Sequence, residues 1–88
     1  MEGKWLIADR DLNEREGLKW LLKTTSIPVT NILLASNYQE FVVRFEQERP
    51  DVVLIELDMI SKEVWTTFRD LMQIYDPVLL LTTAEGTF

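Results

Sequence analysis

Four short, continuous apolar runs constrain the fold of this chain more than any other feature of its sequence. They are Trp5 to Ala8, Asn31 to Ala35, Val52 to Leu57 and Val78 to Leu81. Their residues are continuously apolar rather than alternating with polar ones, which is typical of strands that are covered on both faces, as in a parallel sheet. The sequence therefore predicts four parallel strands.

Amphipathic stretches separate the predicted strands, and their apolar residues recur at helical steps of three and four. These residues are Leu18, Leu21 and Leu22, then Phe41, Val42 and Phe45, then Val64, Phe68, Leu71 and Met72. The aromatic residues at core spacing are Trp20, Phe41, Phe45, Trp65 and Phe68. The order is βαβαβαβ, which predicts an α/β fold with an open parallel sheet and its functional crevice at the carboxyl ends of the strands.

Composition limits the chemistry and the partners. The 88 residues suffice for one domain and contain no Cys and no His, which excludes disulfides, zinc-finger sites and imidazole bases. A net charge of −6 argues against direct binding to nucleic acid. No run reaches the roughly 20 apolar residues of a membrane span, and an acid interrupts the N-terminal region before a signal sequence could form. We expect a cytoplasmic protein with no membrane contact.

Polar residues follow each predicted strand, where a parallel sheet places its functional crevice. They are Asp9, Arg10 and Asp11, then Ser36 and Asn37, then Glu56 and Asp58, then Thr82 and Thr83. Asp11 and Glu14 have the spacing of a capping box, so Asp11 is expected to be a helix cap rather than a ligand. Ser36 or Asn37 is expected to begin the second helix.

At these strand ends the sequence resembles CheY-like receiver domains of bacterial response regulators. KWLIADRD resembles the family's first strand and its acidic ending, PDVVLIELDMI its third strand, and PVLLLTT its fourth strand with a terminal hydroxyl. The resemblance spans residues 1–88 and implies a flavodoxin-like sheet. EREGLKWLL further resembles receivers that precede AraC-type DNA-binding domains. The chain is expected to be truncated after strand four, without the family's final helix-strand-helix portion.

The resemblance assigns positions to four residues. Glu56 stands where the family has its phosphoacceptor Asp, and Thr82 matches the hydroxyl that contacts the phosphoryl group. Asp9 matches the first of two acids that hold Mg²⁺, whereas Arg10 replaces the second. A guanidinium supplies positive charge where the ion would lie, so we expect no metal and no other cofactor. Two orientations of Arg10 stay open: toward water, or paired with Glu56 or Asp9.

Three classes of function follow from these residues. The favoured one is a degenerate receiver domain, not an enzyme, that acts without phosphorylation through a protein partner or through its own DNA-binding domain in a longer protein. Glu56 would imitate the phosphorylated state. A working phosphorelay receiver that controls transcription would need the missing Asp and metal pair. A small flavodoxin-like enzyme or nucleotide binder would need a Gly-rich loop where ADRDLNE stands.

The fourth strand also predicts assembly. Without a fifth strand, Val78 to Leu81 would form an apolar sheet edge with unpaired backbone groups. We therefore expect a homo-oligomer that forms through this edge. The alternative is a monomer whose C-terminal tail, Thr83 to Phe88, folds back to shield the edge.

Overall fold

Each apolar run forms a parallel strand in the computed structural model, which describes residues 3–25 and 29–83, with the backbone alone for 29 and 30. The strands are β1 (Gly3–Ala8), β2 (Val29–Ala35), β3 (Val52–Glu56) and β4 (Val78–Thr82). They form one parallel sheet in the order β2-β1-β3-β4. The predicted flavodoxin-like α/β fold is confirmed.

Three helices connect the strands: α1 (Leu12–Thr24), α2 (Tyr38–Glu48) and α3 (Trp65–Tyr75). Asp11 caps α1, since its carboxylate accepts a hydrogen bond from the Asn13 N–H at 2.8 Å. The Glu14 half of the predicted capping box does not form, because the Asp11 N–H donates to Asp9 Oδ1 at 2.8 Å instead. The third strand is one residue shorter than predicted because Leu57 begins a 3-10 turn, Leu57–Met59.

A reciprocal cap forms instead at the start of α2. The Asn37 side chain accepts a hydrogen bond from the Glu40 N–H at 2.8 Å, and the Glu40 carboxylate accepts one from the Ser36 N–H at 2.8 Å. Two donors that the helix itself cannot satisfy are thereby satisfied. The sequence allowed either Ser36 or Asn37 as the N-cap of α2, and the structure shows that it is Asn37.

Helices α2 and α3 cover one face of the sheet, where the main core lies. Phe41 is fully buried, and its ring centroid lies 5.7 Å from that of Phe45 and 6.0 Å from that of Phe68. These rings pack on the alternate strand residues that point to this face. The core residues are Leu6, Ala8, Ala35, Phe41, Phe45, Val53, Ile55, Met59 and Phe68.

Helix α1 lies on the opposite face of the sheet and packs less closely against it, since none of its residues is buried. The expectation that Trp20 and Trp65 belong to the core is wrong, because they are 64% and 49% exposed. Trp20 is two residues from both half-buried Leu18 and Leu22, and two residues rotate a helix by about 200°. Its side chain therefore lies away from the sheet. Trp65 is the first residue of α3.

Burial on both faces ends at β3. Ile7, Leu54 and Leu80 are neighbours in register, and they pass from fully buried through half-buried to 41% exposed. On the other face, Ile55 is fully buried and its neighbour Leu81 is 43% exposed. Within residues 3–25 and 29–83, β4 is therefore an uncovered edge of the sheet. None of the helices in the described part of the chain has the length and apolar character that crossing a membrane requires.

Candidate functional site

The carboxyl ends of β1 and β3 bring a guanidinium and a carboxylate together. Glu56 ends β3 and is 5% exposed, and Arg10 lies in the turn after β1. The Arg10 Nη2 lies 2.9 Å from Glu56 Oε2, and Arg10 Nε lies 3.2 Å from Oε1. This is a two-pronged ion pair, the arrangement for which a guanidinium is shaped. Of the two orientations left open by the sequence, Arg10 adopts the paired one.

Arg10 supplies a third hydrogen bond to the same carboxylate through its backbone. The Arg10 N–H donates to Glu56 Oε1 at 3.2 Å. The hydrogen bonds from Arg10, the side-chain bond foremost, lower the pKa of Glu56 below its ordinary value of 4.5 against the opposing effect of burial. Glu56 is therefore held as a carboxylate, and its charge is neutralised within the protein.

Arg10 is also linked to the 3-10 turn that follows β3. Its Nη2 lies 3.6 Å from Asp58 Oδ2, and both side chains are more than half exposed. Such an exposed pair contributes little to stability. It does place the guanidinium between the end of β3 and the turn, so that Arg10 bridges two elements that frame the crevice.

Asp9 is the second buried carboxylate at this end of the sheet, at 6% exposure. Its Oδ1 accepts a hydrogen bond from the Asp11 N–H at 2.8 Å, and its carbonyl oxygen accepts one from Arg15 Nη1 at 2.6 Å. Burial raises the pKa of Asp9 above its ordinary value of 3.8, and the charge of Glu56 adds to the increase. The two neighbouring carboxyls are thus shifted in opposite directions, because Arg10 pairs with only one of them.

A small acidic pocket of about 100 Å³ opens beside the pair, lined by Asp9, Asp11, Glu14, Glu56 and Thr83. Thr82, the residue selected by the resemblance, pairs in register with Glu56 inside β4 and is not part of this lining. Thr83 lines the pocket instead, because it is the first residue after β4. Its hydroxyl is buried and has no hydrogen-bond partner in the described structure. The sequence placed both Thr82 and Thr83 at this strand end, and the resemblance selected Thr82 rather than Thr83.

The crevice does not fit the magnesium ion that the resemblance implies. The carboxylate of Glu56 is occupied on both oxygens by Arg10, whose guanidinium brings positive charge to the place of a ligand. Within residues 3–25 and 29–83, no three acidic side chains are arranged to hold a metal ion. The guanidinium of Arg10 thus neutralises the charge of Glu56, as a divalent ion would.

Comparison with known proteins supports the fold. The crystal structure of a mutant of the anti-anti-sigma factor PhyR from Bartonella quintana matches this chain with a TM-score of 0.72 at 18% sequence identity. The match covers 98% of this chain and 35% of that protein, so the chain spans about a third of its length. The fold is receiver-like. No protein-family model matches the sequence, and no curated protein matches it.

The similarity to PhyR reaches no further than the fold, because the sequences differ at most positions. The finer assignment to receivers that precede AraC-type DNA-binding domains stays a prediction, as do the roles that the resemblance gave to Asp9, Arg10, Glu56 and Thr82. The structure places the first three together and puts Thr82 in the sheet beside Glu56.

Proposed function

We propose that this chain is a degenerate receiver domain of a two-component-type regulator, a binding domain rather than an enzyme. It would act through contacts with other proteins and without being phosphorylated. The observation that carries the proposal is the two-pronged Arg10–Glu56 pair at the carboxyl end of β3.

The Arg10–Glu56 pair removes both conditions that phosphorylation requires, which are a free acceptor oxygen and an available cation. A carboxylate that is to attack phosphorus needs a free oxygen, yet both oxygens of Glu56 accept hydrogen bonds from Arg10. Phosphoryl transfer also relies on a cation to offset the charge of the incoming group. Here the cation is bound to the acceptor itself, and within the described residues no three acidic side chains are arranged to hold a metal ion.

The same ion pair would hold the loops at the carboxyl ends of the strands in one fixed conformation. Glu56 carries its charge one methylene farther than an Asp would, toward the place of a phosphoryl group, and Arg10 in turn reaches Asp58 of the 3-10 turn. A phosphoryl group carries about two charges and three acceptor oxygens, so Glu56 reproduces it only in part. The strand-end loops would then adopt one arrangement without a chemical signal.

The partner class follows from charge and fold. The chain carries −6 overall, which disfavours nucleic acid as its direct ligand. The similar structure belongs to an anti-anti-sigma factor, a name that places its action on other proteins. The partner here is proposed to be another protein, or a DNA-binding domain in a longer form of the same protein, in the cytoplasm.

The alternative is a working phosphorelay receiver that controls transcription. Thr83 favours it, because its buried hydroxyl lines the acidic pocket beside Glu56 with no partner of its own. A phosphoryl oxygen would give that hydroxyl an acceptor. Against it, the acceptor position holds a Glu whose two oxygens are already engaged.

Intact-mass measurement after incubation with acetyl phosphate and Mg²⁺ separates the two functions. We expect no change in mass, since Glu56 is engaged by Arg10. The gain of one phosphate at Glu56 would refute the proposal and support the phosphorelay. The Glu56→Asp variant is the matched control for Arg10: with Arg10 still present it should also stay unmodified, and its phosphorylation would show that Arg10 does not block the crevice.

A further inference from the structure

In the part of the chain that the structure describes, β4 is an edge strand without the features by which proteins usually protect such edges. Its five residues, VLLLT, carry no charge and no proline, and the strand pairs with β3 without a bulge. Exposed edges are usually blunted by lysine, proline, bulges or a covering segment. On the side away from β3, none of the described residues pairs with β4.

Strand β4 leaves apolar side chains exposed on both faces of the sheet. Leu79 and Leu81 point to the face of α2 and α3, because they pair with core residues Val53 and Ile55, whereas Val78 and Leu80 point to the face of α1. Between β4 and α3 lies a groove of about 300 Å³. It is lined by the apolar residues Trp65, Phe68, Met72, Pro77 and Leu79 and by the polar residues Arg69, Gln73 and Asp76. We call β4 together with this groove the edge surface.

We propose that the edge surface binds a second copy of this chain, with the two β4 strands antiparallel about a two-fold axis that passes beside Leu80. The two four-stranded sheets then form one continuous sheet. This proposal rests on the edge and groove alone and does not depend on the receiver assignment.

Self-pairing about Leu80 is complementary along the whole strand. It places Leu80 opposite its own copy, Leu79 opposite the partner's Leu81, and Val78 opposite the partner's Thr82. Every cross-strand pair is then uncharged, and the large side chains meet side chains of the same kind. Two chains that each carry −6 repel one another elsewhere, so an uncharged stretch is where identical copies can approach. A charged partner would find no counter-charge on β4.

The groove supplies area that the strand alone lacks. A stable interface buries about 800 Å² per partner, more than one five-residue strand offers. A two-fold axis perpendicular to the sheet keeps equivalent faces on the same side, so the two grooves come to lie next to each other. Trp65, which is 49% exposed at the groove, is thereby brought toward the second copy. Strand pairing and groove coverage act in the same assembly.

Sedimentation equilibrium over a dilution series at micromolar concentrations tests the assembly. The unaltered chain should approach twice its mass of 10.3 kDa and stop there, because a two-fold contact is closed. Leu80→Lys places two like charges across the axis and should give a monomer, whereas Leu21→Lys, at a leucine 52% exposed on α1, should leave the dimer intact. A monomer at every concentration, open-ended growth, or loss of the dimer in Leu21→Lys would overturn the proposal.

Engineered disulfides test the register, since the chain contains no cysteine. Leu80→Cys should form an intermolecular disulfide on mild oxidation, because directly opposed residues of antiparallel strands lie within disulfide reach. A mixture of Leu79→Cys and Leu81→Cys should cross-link to each other faster than Leu79→Cys cross-links to itself. Leu21→Cys is the matched control and should stay reduced. Cross-linking of Leu21→Cys at the rate of Leu80→Cys, or a dimer that Leu80→Cys fails to cross-link, would refute this arrangement.

Discussion

Replacing Phe41 by alanine should remove a large part of the stability of the fold, and replacing Trp20 should remove almost none. Both aromatic residues have helical core spacing in the sequence, but the structure separates them. Phe41 is fully buried among Tyr38, Phe45 and Phe68, with ring centroids 5.7 to 6.0 Å away, whereas Trp20 is 64% exposed.

The expected sizes follow from these environments. Truncating a buried phenylalanine costs about 3–5 kcal/mol, through lost transfer free energy and the cavity left behind. The whole domain is stable by about 4–13 kcal/mol, at about 0.05–0.15 kcal/mol per residue. Phe41→Ala therefore removes about a quarter of the stability or more. Trp20→Ala lies on the surface and should change the free energy of unfolding by less than about 0.5 kcal/mol.

Urea unfolding followed by far-UV circular dichroism measures both variants without relying on tryptophan. With a slope of about 1–3 kcal/mol per molar urea, Phe41→Ala should lower the midpoint by about 1 M or more. Phe41→Leu keeps much of the volume and should cost about 1 kcal/mol, which stays measurable if the alanine variant does not fold. Equal losses from Phe41→Ala and Trp20→Ala would refute the packing described here.

Four further outcomes are expected in urea unfolding experiments. Asp9→Asn should increase stability at neutral pH and not below about pH 3.8, because the folded state raises the pKa of Asp9, so that its ionised form lowers stability. Glu56→Gln should decrease stability at neutral pH, and the loss should vanish as the pH falls through the lowered pKa of Glu56; equal pH profiles for the two variants would contradict both assignments. Asn37→Ala should cost about 1 kcal/mol through loss of the α2 cap, whereas Gln39→Ala should cost far less. Asp76→Gly should gain about 0.5 kcal/mol, since Asp76 has the left-handed φ of 49° after α3; a loss would show that its side chain stabilises the turn.

The order of elements and the strand positions could be predicted from the sequence because continuous apolar runs and helical spacing both report burial. The core positions Phe41, Phe45 and Phe68 followed from the same spacing. The core prediction for Trp20 is wrong because Trp20 lies two residues from both Leu18 and Leu22, and helical geometry turns it away from the face that those two residues share. Helix α1 has a single layer against it, so most of its circumference meets solvent.

The sequence could predict which residues lie at the strand ends, but not how their side chains are arranged there. The sequence brought Asp9, Arg10 and Glu56 to one edge of the sheet, but the orientation of Arg10 depends on the register between β1 and β3, across 46 positions of the chain. Choosing between Thr82 and Thr83 required knowing at which residue β4 ends. A shift of one residue moves a side chain to the other face, which no composition or spacing rule resolves.

Arg10 is proposed to occupy the place of a metal ion beside Glu56, and a magnesium titration followed by amide NMR tests this role most directly. The backbone N–H of Arg10 donates to Glu56 and that of Asp11 donates to Asp9, so both amides report on the crevice. In the unaltered chain these two signals should not move with millimolar Mg²⁺, and in the Arg10→Asp/Glu56→Asp double variant they should shift and saturate. Saturating shifts of the Arg10 and Asp11 amides in the unaltered chain would contradict the claim.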